Sequence, residues 1–184
     1  MGKCIVPYEK EYMDFLLVEC GLEKETSIGY MKELRNFMEW LQNSGFTAEP
    51  EEVKVSHVRR YLSYLKNERG NSAVTRNNKL STLKSYFHFL VIIDVIDEDE
   101  NPLQYVKRAK VPEYLPVYLS LEEAEALLKA SATETRTPER DYAIMQFFLQ
   151  TGCRLGELLR VKLYDVSLEE KIVLIRGKGR RQRF

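Results

Sequence analysis

Three prolines fall within a short stretch of the chain: Pro102, Pro112 and Pro116 in "DVIDEDENPLQYVKRAKVPEYLPVYLS". Proline has no backbone N–H to give a helix, and it pushes the residue before it towards extended geometry. A helix cannot run through this stretch. Structureless loops of this length are uncommon inside one compact domain, so it divides the sequence into two parts. The predicted organisation is a domain over 1–100, a linker over 101–118 and a second domain over 119–184.

Before the linker, apolar residues recur at helical spacing. Tyr8, Tyr12, Phe15 and Leu16 predict a helix over 8–20, stopped by Gly21. Tyr30, Leu34, Phe37 and Leu41 form the stripe of a second helix, capped by Thr26 or Ser27 and ended by Gly45. Val58, Tyr61, Leu62 and Leu65 predict a third helix over 55–68. A fourth runs from about Ser72 to Ile93, with Leu80, Leu83, Phe87 and Leu90 on its apolar side. Asn77, Ser81, Lys84 and His88 share another side, which carries no acid. Four such helices with short turns predict a bundle.

After the linker, Ser120 and Glu123 have the spacing of a capping box. A further helix is expected over 139–150, with Tyr142, Met145, Phe148 and Leu149 buried. It is broken at Thr151-Gly152, and a short helix follows from Arg154. Leu155, Leu158, Leu159 and Leu163 are expected to pack beneath that helix. Residues 171–176 read as a strand, 177–179 as a turn and 180–184 as the start of a returning strand in an unfinished hairpin.

The formal net charge of zero hides a strong asymmetry. Residues 1–52 hold 5 Lys/Arg and 11 Asp/Glu, whereas residues 53–90 hold 8 Lys/Arg and one acid, Glu68. Residues 171–184 hold 6 Lys/Arg and no acid. Binding to a polyanion follows the local potential, so the basic blocks at 53–90 and 171–184 point towards nucleic acid. Solvated faces of a helical interaction module are the bland alternative. Three widely spaced cysteines fit neither a disulfide framework nor a zinc site and favour a reducing cytoplasm. No apolar run is long enough to span a bilayer, so no membrane partner is expected. No metal is expected, since both histidines lie outside the candidate site. "RGKGRRQ" lacks the spacing and the Ser/Thr of a phosphate loop.

The richest constellation is "FFLQTGCRLGELLRVKLYDV". Arg154 sits at a helix start with Glu157 one turn on. Such an Arg can grip a phosphate through two parallel hydrogen bonds. It can equally be one half of a structural Arg–Glu pair.

"TGCRLGELLRVKLYDV", the strand after it and "GKGRRQR" together resemble the tyrosine recombinases, or phage integrases, of the Xer-like branch. "SAVTRNNKLSTLKSYFHFLVIIDVIDEDENP" resembles the exit of that family's core-binding domain. The resemblance spans about residues 8–184, with Lys178 lying 24 positions after Arg154.

It implies a mainly α fold: a four-helix, SAM-like core-binding domain, then the incomplete start of an α+β catalytic domain. It implies site-specific DNA breakage and rejoining through a 3′-phosphotyrosyl intermediate, with no cofactor. By resemblance Arg154 clamps the scissile phosphate, Lys178 protonates the leaving 5′-oxygen and Glu157 supports the site. Candidate DNA contacts are Arg76, Asn77, Lys79, Ser81, Lys84, Arg180 and Arg181. The implied partners are double-stranded DNA and further copies of the chain, or a partner recombinase, on that DNA.

The family's His-x-x-Arg motif and nucleophilic Tyr do not follow the hairpin here. His57-Val58-Arg59-Arg60 has the motif's pattern but precedes Arg154, so it reads as a DNA- or solvent-facing stretch of helix three. None of the eleven tyrosines is nominated as nucleophile. The expectation is therefore a DNA-binding piece of a recombinase. The alternative is a naturally truncated, inactive modulator of recombination.

Overall fold

The computed structural model describes residues 6–113, 115–177 and 182–184. They form two units, Met1–Glu113 and Tyr114–Phe184.

In the first unit, α1 (Glu9–Asp14) runs on into a single π-helical stretch, Phe15–Glu19, closed by Cys20 N–H donating to the Phe15 carbonyl at 3.0 Å. Tyr8 lies just outside α1 in the left-handed region (φ 54°), so its ring leaves the expected stripe and is exposed. Next is α2 (Lys24–Asn43), which starts a turn earlier than the predicted Thr26 or Ser27 cap. Ser27 is a buried interior residue, its hydroxyl donating to the Glu23 carbonyl at 3.3 Å. Gly45 turns the chain at φ 75°, where a side chain would be strained, and Phe46 N–H returns to the Leu41 carbonyl.

Then come α3 (Val55–Asn67) and α4 (Ala73–Ile92). Ser72 caps α4, its Oγ accepting from Thr75 N–H at 3.1 Å. Leu80, Thr82, Leu83, Tyr86, Phe87, Phe89 and Leu90 are all buried, so α4 is the central element of the bundle. The core is rich in aromatic rings. Tyr12 meets Tyr86 edge-on at 5.2 Å, and Phe37 meets Tyr61 at 5.0 Å. Each buried phenol has a partner: Tyr12 donates to Ser85, Tyr61 to Glu33 and Tyr86 to the Pro7 carbonyl.

The predicted linker differs from the structure in its first half. Pro102, Leu103 and Val106 are buried, and residues up to Glu113 belong to the first unit. Proline stops helix formation there, but burying the intervening apolar side chains is still favourable.

The second unit pairs α5 (Leu121–Thr133) with α6 (Pro138–Thr151). The Ser120–Glu123 capping box is present, and Gly152 ends α6 at φ 59°. The expected burial in α6 is not found. Tyr142 and Leu149 are exposed, and Met145 and Phe148 are half-buried. Nor do the leucines after Arg154 pack beneath. Leu155, Leu159 and Leu163 are exposed, and Leu158 is half-buried. The unit is small, and so short a chain cannot wrap an apolar face on all sides. Moreover α7 (Leu155–Leu158) is a single turn, and its buried side chain is Glu157.

The predicted strand over 171–176 divides at Leu174 into two short ladders. β1 (Val166–Ser167) pairs antiparallel with β2 (Ile172–Val173). β3 (Ile175–Arg176) pairs antiparallel with β4 (Gln182–Arg183), so the strand is partnered on both ladders. Leu174 N–H, opposite Asp165 in the same register, donates to the Asp165 carbonyl at 2.8 Å and adds a rung to the first ladder.

Candidate active site and nucleic-acid surface

Among the described residues of the second unit, two buried carboxylates, Glu157 and Asp165, each hold an arginine, and Arg154 is held by the first. Arg154 is the N-cap of α7, and Glu157 is the third helical residue. Glu157 Oε2 accepts from Arg154 N–H at 3.0 Å, and its Oε1 accepts from Arg154 Nη1 at 3.0 Å. Glu157 also holds a residue that sequence reasoning did not single out: Arg183 Nη2 on β4 donates to its Oε2 at 2.9 Å. The carboxylate is 4% exposed, while the Arg154 side chain is 82% exposed. One edge of the guanidinium is therefore held and its remaining donors face outward, free to take a phosphate.

Asp165 repeats the device. It accepts from Lys162 N–H at 2.9 Å and binds Arg176 on β3 through both oxygens at 2.6 Å. Arg176 also lies 5.8 Å from the centre of the Tyr164 ring. Both strands of the β3–β4 hairpin are thus pinned at their base, β3 by Asp165 and β4 by Glu157. Lys178, Arg180 and Arg181 lie outside the described residues.

The Arg154 backbone N–H, followed by the Arg154 and Arg183 guanidinium groups, holds the Glu157 carboxyl below the usual carboxylate range. Arg176 first, then the Lys162 backbone N–H, does the same for Asp165. A carboxylate depressed in the folded state stabilises the fold above its unfolded pKa. That contribution is lost as pH falls through the folded value. The second unit should therefore loosen only below the ordinary values of 4.5 for Glu and 3.8 for Asp. Amide exchange at Ile175, Arg176, Gln182 and Arg183, followed between pH 6 and 3, reads this. A Glu157→Gln/Asp165→Asn variant should show little of the wild-type pH response, and an unchanged response would refute the pinning.

In the first unit, Arg76, Asn77, Lys79, Ser81 and Lys84 all lie on α4, but their surroundings differ. Arg76 Nη1 donates to the Asn71 carbonyl at 2.6 Å. The Lys79 ammonium is paired with Glu33. Lys84 is half-buried. Asn77 and Ser81 bond to the segment around Arg108 and Ala109. That segment supplies Lys107, Arg108 and Lys110, all exposed. These residues fall within the predicted linker, and their basic character is visible in "VKRAK".

The His57-x-x-Arg60 pattern is structural. His57 Nδ1 accepts from Lys54 N–H at 3.3 Å, its ring stacks on Phe46 at 4.3 Å, and Arg60 lies over the same Phe46 ring. Desolvation, then Lys54 and Arg60, lowers the His57 pKa. Among the described residues no group of His, Cys, Asp and Glu could hold a metal ion, and no helix is long and apolar enough to cross a membrane.

Residues 10–92 match the family described as phage integrase, N-terminal SAM-like domain, and residues 118–184 match the phage integrase family. The chain belongs to the tyrosine recombinase, or phage integrase, family. It is 34% identical to the tyrosine recombinase XerC of Listeria innocua over 96% of this chain and 58% of that one. It is 29% identical to XerD of Listeria monocytogenes over 95% of this chain and 58% of that one. The chain therefore spans somewhat over half the length of these curated relatives. The integrase of the Tn1549 transposon, solved in complex with circular intermediate DNA, has a similar fold. Its TM-score is 0.67 at 21% identity, covering 95% of this chain and 57% of that one. The two units are thus the SAM-like N-terminal domain and the start of the integrase catalytic domain, in a mainly α fold.

Proposed function

We propose that this chain is the DNA-gripping part of a site-specific tyrosine recombinase. The first unit holds duplex DNA, and the second presents Arg154 to the scissile phosphate. The observation that carries the reading is the Arg154 guanidinium, held on one edge by buried Glu157 and open on the other. In the parent reaction a tyrosine oxygen attacks phosphorus, forming a 3′-phosphotyrosyl bond and breaking the bond to the 5′-oxygen. Arg154 would stabilise the charge that develops on the phosphoryl oxygens. Lys178 would give a proton to the departing 5′-oxygen, with Arg180 and Arg181 beside it in sequence to meet the DNA backbone. No metal or external energy source is needed, because the covalent intermediate keeps the phosphodiester energy. Glu157 acts through the two arginines it binds, as a positioning residue. Lys84 on α4 would contribute a phosphate contact, which positions a protein without reading sequence, and Arg76 and Lys79 would add to it only by leaving the Asn71 carbonyl and Glu33. The free thiols of Cys20 and Cys153 suit a reducing cytoplasm.

A duplex nicked near the scissile phosphate, which traps any covalent intermediate, tests this. The expected result is a salt-reversible complex and no adduct surviving a denaturing gel. A trapped adduct would show that one of these tyrosines is the nucleophile. Failure to bind duplex DNA at low salt would sink the whole reading.

A further inference from the structure

Asn77 and Ser81 lie on the α4 face that carries no acid, where a DNA contact is the natural first reading. Their hydrogen bonds go elsewhere. Asn77 Nδ2 donates to the Ala109 carbonyl at 2.8 Å, and Ala109 N–H donates to Asn77 Oδ1 at 2.8 Å. The carboxamide thus pairs with the Ala109 backbone as a neighbouring β-strand would. One turn on, Ser81 Oγ donates to the Asn77 carbonyl and accepts from Arg108 Nη2, both at 2.9 Å. Leu103 and Val106 are buried just before this clasp. Three polar contacts and two apolar anchors therefore hold a strap, residues 103–110, against the bundle.

The strap carries charge. Lys107, Arg108 and Lys110 are exposed, and Tyr105 is 74% exposed. Between the strap and α3 lies a cleft of about 380 Å³, lined by Arg59, Leu62, Tyr105, Val106 and Lys107. It has two cations, an aromatic ring and no carboxylate. The cations are strung along the chain rather than gathered round one point. That arrangement suits a sugar–phosphate track better than a single small anion.

We propose that the strap, clasped by Asn77 and Ser81, is a second phosphate-binding element of the first unit, with the duplex backbone seated on Arg59, Lys107 and Lys110. Asn77 is then a positioning residue that sets the strap. The proposal rests on the DNA-binding function above, so its test has an arm that needs no DNA. Trypsin cuts after Lys and Arg, and the strap offers three such sites. Asn77→Asp puts an acceptor opposite the Ala109 carbonyl. In the DNA-free protein it should speed cleavage after Lys107, Arg108 and Lys110 about tenfold. Ser81→Ala, which removes only the Arg108 contact, should give a smaller increase at the same sites. Unchanged cleavage in both variants would overturn the clasp, whatever the chain does with DNA. In the second arm, Lys107→Gln/Lys110→Gln should lower the log–log salt slope of duplex binding by about 2. An unchanged slope with accelerated cleavage would leave the clasp but overturn the strap as a DNA element. A wild-type chain that binds no duplex would instead refute the DNA-binding function, and the cleavage arm would still judge the clasp.

Discussion

Phe37→Ala is expected to cost the first unit about 3–5 kcal/mol, a large share of the ~5–15 kcal/mol that holds a typical domain together. Phe37 is fully buried at the middle of α2. Its ring meets Tyr61 at 5.0 Å and stacks towards Trp40 at 6.4 Å. Truncation removes the apolar area and leaves a cavity, because the rings of Trp40 on α2 and Tyr61 on α3 cannot both close in. Trp40 is the chain's one tryptophan, so its fluorescence reports unfolding of this unit alone. Urea titration of the variant should show a much lower midpoint with a similar slope. Val18→Ala is the control: that side chain, in the same unit, is 80% exposed, and its truncation should change stability by no more than about 0.5 kcal/mol. Equal effects at the two positions would mean that the first unit is not organised round this cluster.

Much of the first unit was legible in the sequence because its helices bury one strong apolar stripe each. Leu34, Phe37 and Leu41 on α2, and Val58, Tyr61 and Leu65 on α3, are buried where their spacing places them. Periodicity fails at the edges. It cannot show that Tyr8 leaves the helix at positive φ, or that Ser27 bonds within α2 rather than capping it. It also misjudged the second unit, where apolar spacing in α6 and α7 has little to pack against. The Arg154–Glu157 pair was visible, since both lie within one helical turn. Arg183 was not, because its bond to Glu157 depends on how β4 pairs with β3. The strap was hidden for a similar reason. Prolines signal the end of regular structure, and they say nothing about whether the irregular chain is docked.

Duplex binding should weaken by about two orders of magnitude between 50 and 200 mM monovalent salt, if about four phosphates are neutralised. The formal net charge of zero predicts no such sensitivity. The distribution does. The acids of residues 1–52 contrast with a block over 53–90 that holds one acid, and the strap adds Lys107, Arg108 and Lys110. Some of that charge is already spent, as Lys79 is paired with Glu33 and Arg76 bonds to the Asn71 carbonyl. The number of contacts should therefore be well below the number of cations in sequence. The most direct measurement is fluorescence anisotropy of a labelled duplex across that salt range. A log–log slope near −4 is the predicted result. A flat response, or no binding at 50 mM, would contradict the claim that this chain holds DNA by its phosphates.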